Sequence, residues 1–340
     1  MKTLVIQTAF LGDLLLTLPL VKALKLQDED GEVQLLIRAG YSEVLQNNPD
    51  LSDVLELDKG IGKGMTTSSA VAEIKRRKFD RAIIPHRSLR SALIAYLANI
   101  PERIGFFSAP GYILYTESVE YPPTGHQILR MLVLAKEKGT DIERFPITVF
   151  PDDNNFDKAD DVISGIIVGR AENIAAIAPG SVWPTKRWPV EYFAELGNYL
   201  IRERDFHLIL TGSKDDRDIC FEIGEQLPSS GWAITAGEFS IMDTAAVFAR
   251  SSFVVANDSA AGHLASAVNT PVLTIYGPTV PSFGFYPIGK DNIIAEYRHL
   301  YCRPCSKHGP RKCPEEHFKC MLELIPDYVI SLMDPLLEGT

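Results

Sequence analysis

No stretch of this 340-residue chain holds the roughly 18 to 20 uninterrupted apolar residues that a membrane-spanning helix needs. Met1 to Leu26 comes nearest to a leader, since Lys2 precedes a mostly apolar run ending near Leu24. Asp13 interrupts that run, its two parts read as a strand and a helix, and no convincing small-residue cleavage site follows, so a cytoplasmic protein is expected. Cysteine is scarce: there are 5, an odd number, with Cys220 apart from Cys302, Cys305, Cys313 and Cys320, which is not the pattern of a disulfide-dense secreted domain. Two glycine signatures are missing as well. Gln7 to Asp13 follows the first apolar run without G-x-G-x-x-G, and nothing has G-x-x-x-x-G-K-[ST] spacing, which disfavours a dinucleotide dehydrogenase and a P-loop NTPase. Nor is there a surplus of positive charge. A formal net charge of -10 argues against a general nucleic-acid binder while leaving room for a local basic face.

What remains is ordinary globular material, 46% hydrophobic, with a length that suggests about two domains. Short apolar runs alternate with helical patterns. In the first half, strands are expected at Thr3 to Thr8, Val33 to Arg38, Val54 to Leu57, Arg81 to Pro85 and Arg103 to Phe106. Helices are expected at Leu11 to Leu26, Ser42 to Asn48, Ser68 to Lys78, Ser88 to Ala98 and Gln127 to Lys138. The alternation lapses between about Gly139 and Arg170, where Pro146, Pro151, Asp152, Asp153, Asn154 and Asn155 suit a connection. It resumes with strands at Ile174 to Ala178, His207 to Leu210, Trp232 to Thr235, Phe253 to Ala256 and Val272 to Tyr276. Helices at Val190 to Arg204, Asp215 to Leu227, Asp243 to Ala249 and Ala260 to Ala267 fall among them. Near-continuous apolar strands joined by helices imply buried parallel sheets, and hence two doubly wound α/β domains in tandem, at 1–160 and 161–321. A final helical pattern, Leu322 to Leu337 within 322–340, is a C-terminal helix that could pack back on the first domain, a placement the sequence alone does not decide.

The strongest chemical signal is Pro179 to Pro189. It follows an apolar strand and leads into a helix. Gly180 and Ser181 let backbone N–H groups approach a phosphate, Thr185 adds a hydroxyl, and Lys186 and Arg187 add positive charge at a helix start whose dipole favours anions. A packing role for Trp183 and Trp188, with Lys186 merely solvated, is the competing reading. Asn257 to His263 repeats the arrangement: Ser259 and backbone N–H groups can meet phosphate, Asp258 can orient Lys186 or a bound sugar, and His263 is either a diphosphate contact or a structural histidine. Gly277-Pro278-Thr279 brings a further hydroxyl to the same sheet edge. After Thr211-Gly212-Ser213, a carboxylate among Asp215, Asp216 and Asp218 can accept a ribose's hydroxyls or cap the helix. Asp13, after the first strand, is either a cap or a general base.

Cys302-x2-Cys305-x7-Cys313-x6-Cys320, with His308 and His317, has one familiar ligand spacing and otherwise fits no common zinc module, so bracing thiols are expected and no metal. Arg87, Arg90 and His126, with His86, Arg103 and Arg130, suit an acidic acceptor or are solvated cations.

Taken together, Gly12-Asp13 with Leu18-Pro19, Pro179-Gly180-Ser181 with Thr185 to Pro189, Asn257-Asp258-Ser259 with His263-Leu264, and Tyr276 to Thr279 resemble the lipopolysaccharide heptosyltransferases of glycosyltransferase family 9. Thr185 to Pro189 and the cysteine segment are more similar to the heptosyltransferase II type than to type I. Ala260-Ala261-Gly262 departs from the family, where a Gly-Leu-Met type sequence is frequent. The resemblance implies a GT-B fold, two Rossmann-like domains facing a central cleft, with acceptor on the first and nucleotide-sugar donor on the second. It implies inverting, metal-independent transfer of heptose from ADP-L-glycero-β-D-manno-heptose to the lipopolysaccharide inner core, on Kdo-lipid A or a heptosylated acceptor. By the same similarity Asp13 is the general base and Lys186 the residue that stabilises the donor diphosphate. Ser181, Thr185, Asp216, Asp258, Ser259, His263 and Thr279 fall at the donor site, and Arg87, Arg90 and His126 at the acceptor. No cofactor and no nucleic acid are implied, and the protein would work peripherally on the cytoplasmic face of the inner membrane. Two other classes stay open: a GT-B-like nucleotide-sugar epimerase and a noncatalytic nucleotide-sugar binding protein.

Overall fold

Central strands buried on both faces organise the chain. A computed structural model describes residues 1–167 and 173–337 and divides into two units, Met1–Phe150 and Pro151–Thr340. The first unit runs β1 (Lys2–Gln7), α1 (Leu11–Gln27), β2 (Glu32–Arg38), β3 (Asp53–Leu57), α2 (Thr67–Arg77), β4 (Arg81–Ile84), α3 (Leu89–Leu97), β5 (Glu102–Phe106), β6 (Glu117–Val119) and α4 (Gln127–Leu132). Its six strands pair in parallel in the order β3-β2-β1-β4-β5-β6. Leu14 to Leu18 and Leu20, Val21, Ala23 and Leu24 of α1 are buried over nearly the whole helix circumference, because one side meets the sheet and another meets α4. Ser42 to Asn48 forms only a short 3-10 turn, Ser42–Leu45, with Asn47 beyond it at a left-handed φ of 58°.

The second unit runs α5 (Asp153–Ile166), β7 (Ile174–Ala178), α6 (Val190–Glu203), β8 (His207–Leu210), α7 (Arg217–Gly224), β9 (Trp232–Ile234), α8 (Ile241–Arg250), β10 (Phe253–Asn257), α9 (Ala260–Ala267), β11 (Val272–Tyr276) and β12 (Ile293–Glu296). Three short helices, α10 (Lys319–Leu322), α11 (Pro326–Ser331) and α12 (Asp334–Leu337), complete it. Its parallel sheet has the order β12-β11-β10-β7-β8-β9. In both sheets chain order reverses beside the first strand, between β1 and β4 and between β10 and β7. Loops at the carboxyl ends of those strands diverge there and leave a crevice for a ligand.

Two expectations are corrected. The boundary lies at Phe150 rather than at 160, because the polar run read as a connection starts a helix. Asp152 accepts the Asn155 N–H at 3.0 Å while the Asn155 side chain accepts the Asp152 N–H, a reciprocal cap that turns apparent linker residues into a helix start. That helix is held to α8 by Asn155 Nδ2 to Asp243 Oδ1 at 2.8 Å and by the Arg250–Asp160 ion pair at 2.7 Å. The end of the expected connection, up to Arg170, lies outside the described residues. Secondly, among the described residues the final segment is not one helix, and it joins the core of the second unit. It breaks at Pro326, and Val329, Met333, Leu336 and Leu337 join the core formed by Trp188, Phe193, Leu196 and Leu200 of the second unit. Residues 338–340 of that segment lie outside the described residues. The edge strands β6 and β12 were not anticipated; β6 has three residues and β12 only four, too short to show a period.

Candidate functional site

In the second unit the loops after β7 and β10 flank the reversal of strand order. Asn257, fully buried at the end of β10, fastens one to the other: its Oδ1 accepts the Trp188 N–H at 3.0 Å and its Nδ2 donates to the Pro179 carbonyl at 2.7 Å. Trp188 is itself buried and donates through Nε1 to the Leu324 carbonyl at 2.8 Å. With both ends held, Pro184–Lys186 forms one 3-10 turn that projects Lys186 toward the neighbouring loop. Lys186 Nζ donates to Asp258 Oδ2 at 2.6 Å, and the same oxygen accepts the Thr279 hydroxyl at 2.6 Å. The two charged side chains are only 11% and 13% exposed, so a short, hydrogen-bonded ion pair offsets much of their desolvation. Thr185 donates its hydroxyl to the Pro310 carbonyl. Gly309, at φ +85°, lies so close that an added Cβ would sit 3.2 Å from Lys186 Cγ.

Asp216 lies at the adjacent strand end. Its Oδ2 accepts from the Ser213 N–H at 3.0 Å and the Ser213 hydroxyl at 2.6 Å, while Oδ1 is 3.9 Å from Arg187. A Cβ at Gly180 would fall 2.2 Å from Asp216 Cγ, so only glycine lets the β7 loop reach that carboxylate. Arg187 also donates Nε to the Ser181 carbonyl at 2.9 Å, and Ser181 Oγ accepts the Trp183 N–H at 3.3 Å. Ser259 Oγ accepts the Ala261 N–H at 3.4 Å at the start of α9, and His263 is buried one turn on. Lys186, Asp258 and Thr279 are therefore in direct contact, Thr185 precedes Lys186 on the same turn, and Asp216 and Ser181 are linked through Arg187. Ser259 and His263 occupy the start of α9.

Burial sets the chemistry of two neighbouring groups. The Cys220 thiol is pushed up to about 12 by burial and by nearby Asp216, which makes it inert packing. Burial, with Asp258 and Glu296 nearby, holds the Tyr276 phenol well above its ordinary value and therefore protonated.

In the first unit Asp13 sits in the first turn of α1, and its backbone carbonyl accepts the Thr17 hydroxyl at 2.7 Å. Gln7 at the end of β1 donates to that hydroxyl oxygen at 3.0 Å. Across the strand-order reversal, His86 Nδ1 is 3.1 Å from the Thr8 hydroxyl. Burial and the charge of Lys59 lower the His86 pKa to about 4. Arg87 lies over the Tyr121 ring at 4.3 Å, and Arg90 is exposed on α3 close enough to Lys59 to lower the lysine's pKa, after burial. His126 is buried, and its ring accepts the Ile128 N–H at 3.2 Å as the cap of α4.

Arg303 escaped the sequence reading altogether, and the partners of Asn257 and Arg187 were not visible in it. Asn257 was visible as a polar residue closing an apolar strand. Arg187 was visible as charge but not as a partner for Asp216. Arg303 gave no signal: from the cysteine segment it donates to the Gly277 carbonyl at 2.5 Å and the Thr279 carbonyl at 2.8 Å, and pairs with Glu296 at 3.0 Å, fixing the loop that carries Thr279. All five cysteines are free, with Cys302 Sγ 3.9 Å from His317 Nε2 and Cys305 Sγ donating to the Cys302 carbonyl at 3.2 Å. Among the described residues, no group of three or more His, Cys, Asp or Glu is arranged to hold a metal, and no helix is long and apolar enough to cross a membrane.

Known proteins resemble this chain over its whole length. Lipooligosaccharide heptosyltransferase 2 of Haemophilus influenzae is 27% identical over 360 aligned positions, covering 99% of each chain. Lipopolysaccharide heptosyltransferase 2 of Salmonella typhimurium is 26% identical, covering 83% of this chain and 84% of that one. Among solved structures, a family 9 glycosyl transferase of Veillonella parvula superposes with a TM-score of 0.87 at 21% identity, covering 100% and 98% of the two chains. The ADP-heptose lipopolysaccharide heptosyltransferase II of E. coli superposes with a TM-score of 0.80 at 22% identity, covering 100% and 99%. The fold is thus that of the GT-B heptosyltransferases. A family profile described as glycosyltransferase family 9 (heptosyltransferase) matches residues 68–317, well over half of the chain. The chain belongs to glycosyltransferase family 9, the heptosyltransferase family.

Proposed function

We propose that this protein transfers heptose from ADP-L-glycero-β-D-manno-heptose to the lipopolysaccharide inner core, with inversion at the anomeric carbon. The observation that carries the proposal is the Lys186–Asp258–Thr279 cluster at the point where strand order reverses, in a chain that belongs to family 9. Asp258 holds the ammonium group in place before the donor arrives, so little reorganisation is needed when charge develops on the departing ADP. Ser181 and Ser259 contribute hydroxyls, His263 a ring and the helix starts N–H groups to the diphosphate, Thr185 and Thr279 brace the donor site through their bonds to Pro310 and Asp258, and Asp216 accepts ribose hydroxyls.

The acceptor hydroxyl oxygen attacks the anomeric carbon as the bond from that carbon to the ADP oxygen breaks. Its proton passes to the Asp13 carboxylate, and the negative charge moves onto the diphosphate, where Lys186 meets it. No metal is required for this balance, because Lys186, Arg187 and the helix starts supply positive potential. Arg87, Arg90 and His126 serve the acidic acceptor. The enzyme meets its lipid-linked acceptor on the cytoplasmic face of the inner membrane.

Incubation with ADP-heptose and a series of truncated lipopolysaccharide acceptors, with products resolved by mass, tests the reading. The expected product is one acceptor gaining one heptose; an isomerised donor with no acceptor gaining mass would support an epimerase instead. Asp13→Asn should lower kcat by about 10²- to 10⁴-fold with little change in donor affinity. Full turnover in that variant would remove Asp13 from its role.

A further inference from the structure

We propose that α3 and the loop after β5 form the surface by which the first unit docks on an anionic lipid bilayer. This inference rests on the lipid-linked acceptor of the proposed function and adds the surface that reaches it. Leu89, Leu93 and Leu97 recur at one-turn spacing along α3 and, with Tyr96, are exposed although large and apolar. The loop continues the same face. Phe107 is 62% exposed and Ile113 80% exposed, and the Phe107 and Tyr112 rings pack on each other with centroids 4.8 Å apart. Gly111 sits directly on the helix, where a Cβ would meet Ala92 Cβ at 2.4 Å, so no other residue lets the loop lie this close to α3. Arg103 ties the far end, donating Nε to the Leu114 carbonyl at 2.8 Å and lying 5.6 Å from the Tyr96 ring.

Contiguous apolar exposure of this kind marks an interaction surface, and charge identifies the occupant. Glu102 is the only acidic residue between Asp80 and Glu117, in a chain with 44 acidic residues, whereas Arg81, Arg87, Arg90 and Arg103 fall within the same span. Arg87 and Arg90 are the exposed pair among these, while Arg81 and Arg103 already donate to Thr3 and to the Ile100 and Leu114 carbonyls; aliphatic and tyrosine side chains with two exposed arginines, on a span holding a single carboxylate, match an acyl boundary beneath anionic headgroups. A second copy fits poorly, since two such faces would bring Arg90 against arginine with few carboxylates to meet it.

Flotation of the full chain with phosphatidylcholine vesicles, with and without phosphatidylglycerol, tests the assignment alongside heptose transfer to a vesicle-embedded and to a deacylated, water-soluble acceptor. The wild type should float with the anionic vesicles, less so at high salt. The double variant Leu93→Glu/Leu97→Glu should bind them about tenfold more weakly, lose transfer to the embedded acceptor and keep transfer to the soluble one. Ile113→Glu, on the loop and outside any core, should show the same split, which separates docking from a folding defect of α3. Absence of vesicle binding by the wild type, or its persistence in both variants, would overturn the assignment. So would a wild-type dimer, seen by light scattering, that the double variant dissociates. Flotation intact with transfer to neither acceptor would instead refute the proposed function and leave the docking face standing.

Discussion

Lys186 and Asp258 show how a residue proposed to act on the donor is stabilised by a partner that sequence spacing hides. Removing one member leaves a mostly buried charge without its counter-ion, a larger loss than the pair's net contribution. Asp258→Ala should therefore cost about 2–3 kcal/mol in urea unfolding and abolish transfer, because Lys186 and the Thr279 hydroxyl both lose their acceptor. Lys186→Met/Asp258→Leu should recover much of the stability and none of the activity; activity in the double variant would exclude an electrostatic role for the pair. Position after a strand and the chemistry of Lys, Asp and Thr were readable in the sequence. Their convergence on one oxygen was not, because Lys186, Asp258 and Thr279 are distant in the chain and meet only when β7, β10 and β11 lie side by side. His86 carries a residue-level pH dependence. Its ordinary value of 6.5 falls to about 4 in the folded protein, so the neutral ring's contribution is present above 6.5 and is lost as pH falls toward 4. His86→Gln, which cannot titrate, should reduce the stability loss between about pH 7 and pH 5 by about 1 kcal/mol, discounted because the ring is only half-buried. Equal pH dependence in wild type and variant would show that the ring titrates normally.

At the scale of elements, the central strands of both sheets were legible, since strands buried on two faces read as continuous apolar runs. Failures fell where local composition serves a tertiary purpose. Asp152 to Asn155 looks like a linker because cap residues and turn residues are the same types. Its identity as a helix start depends on α8, where Asp243 accepts from Asn155, Lys158 and the Ser240 N–H. Asp243→Ala should thus lower second-unit stability by about 2–3 kcal/mol, removing a capping-box member and the Asn155 and Lys158 attachments of α5 together. Thermal unfolding followed by tryptophan fluorescence would report it, since Trp183, Trp188 and Trp232 all belong to that unit. An unchanged transition would mean that the Asp243 bonds to α5 do not stabilise the unit. The last segment failed for the opposite reason. Its apolar residues suit a helix, yet Pro326 divides it, and the destination of Val329 and Met333 is set by the space beside α6.

For the whole molecule, each unit closes its own sheet and core, while the proposed base and the diphosphate cation lie in different units. Residues 151–340 produced alone should fold and bind ADP, and residues 1–150 should fold without binding it; neither should transfer heptose. ADP binding confined to 1–150 in calorimetry would reverse the assignment of donor and acceptor sides. The sequence by itself determined the class of each unit, the order of most strands and helices, and which strand-end loops hold the Lys, Ser, Thr and Asp side chains proposed to meet the donor, because periodicity, strand-end polarity and helix-start composition are local properties. Only the tertiary structure decided that Lys186 and Thr279 share the Asp258 carboxylate, that Arg187 reaches Asp216 past Gly180, that Arg303 fixes the Thr279 loop, and that the last helices complete the second core. Those outcomes depend on which strands become neighbours and on the few ångströms left between them, and neither quantity is written in any contiguous stretch of the chain.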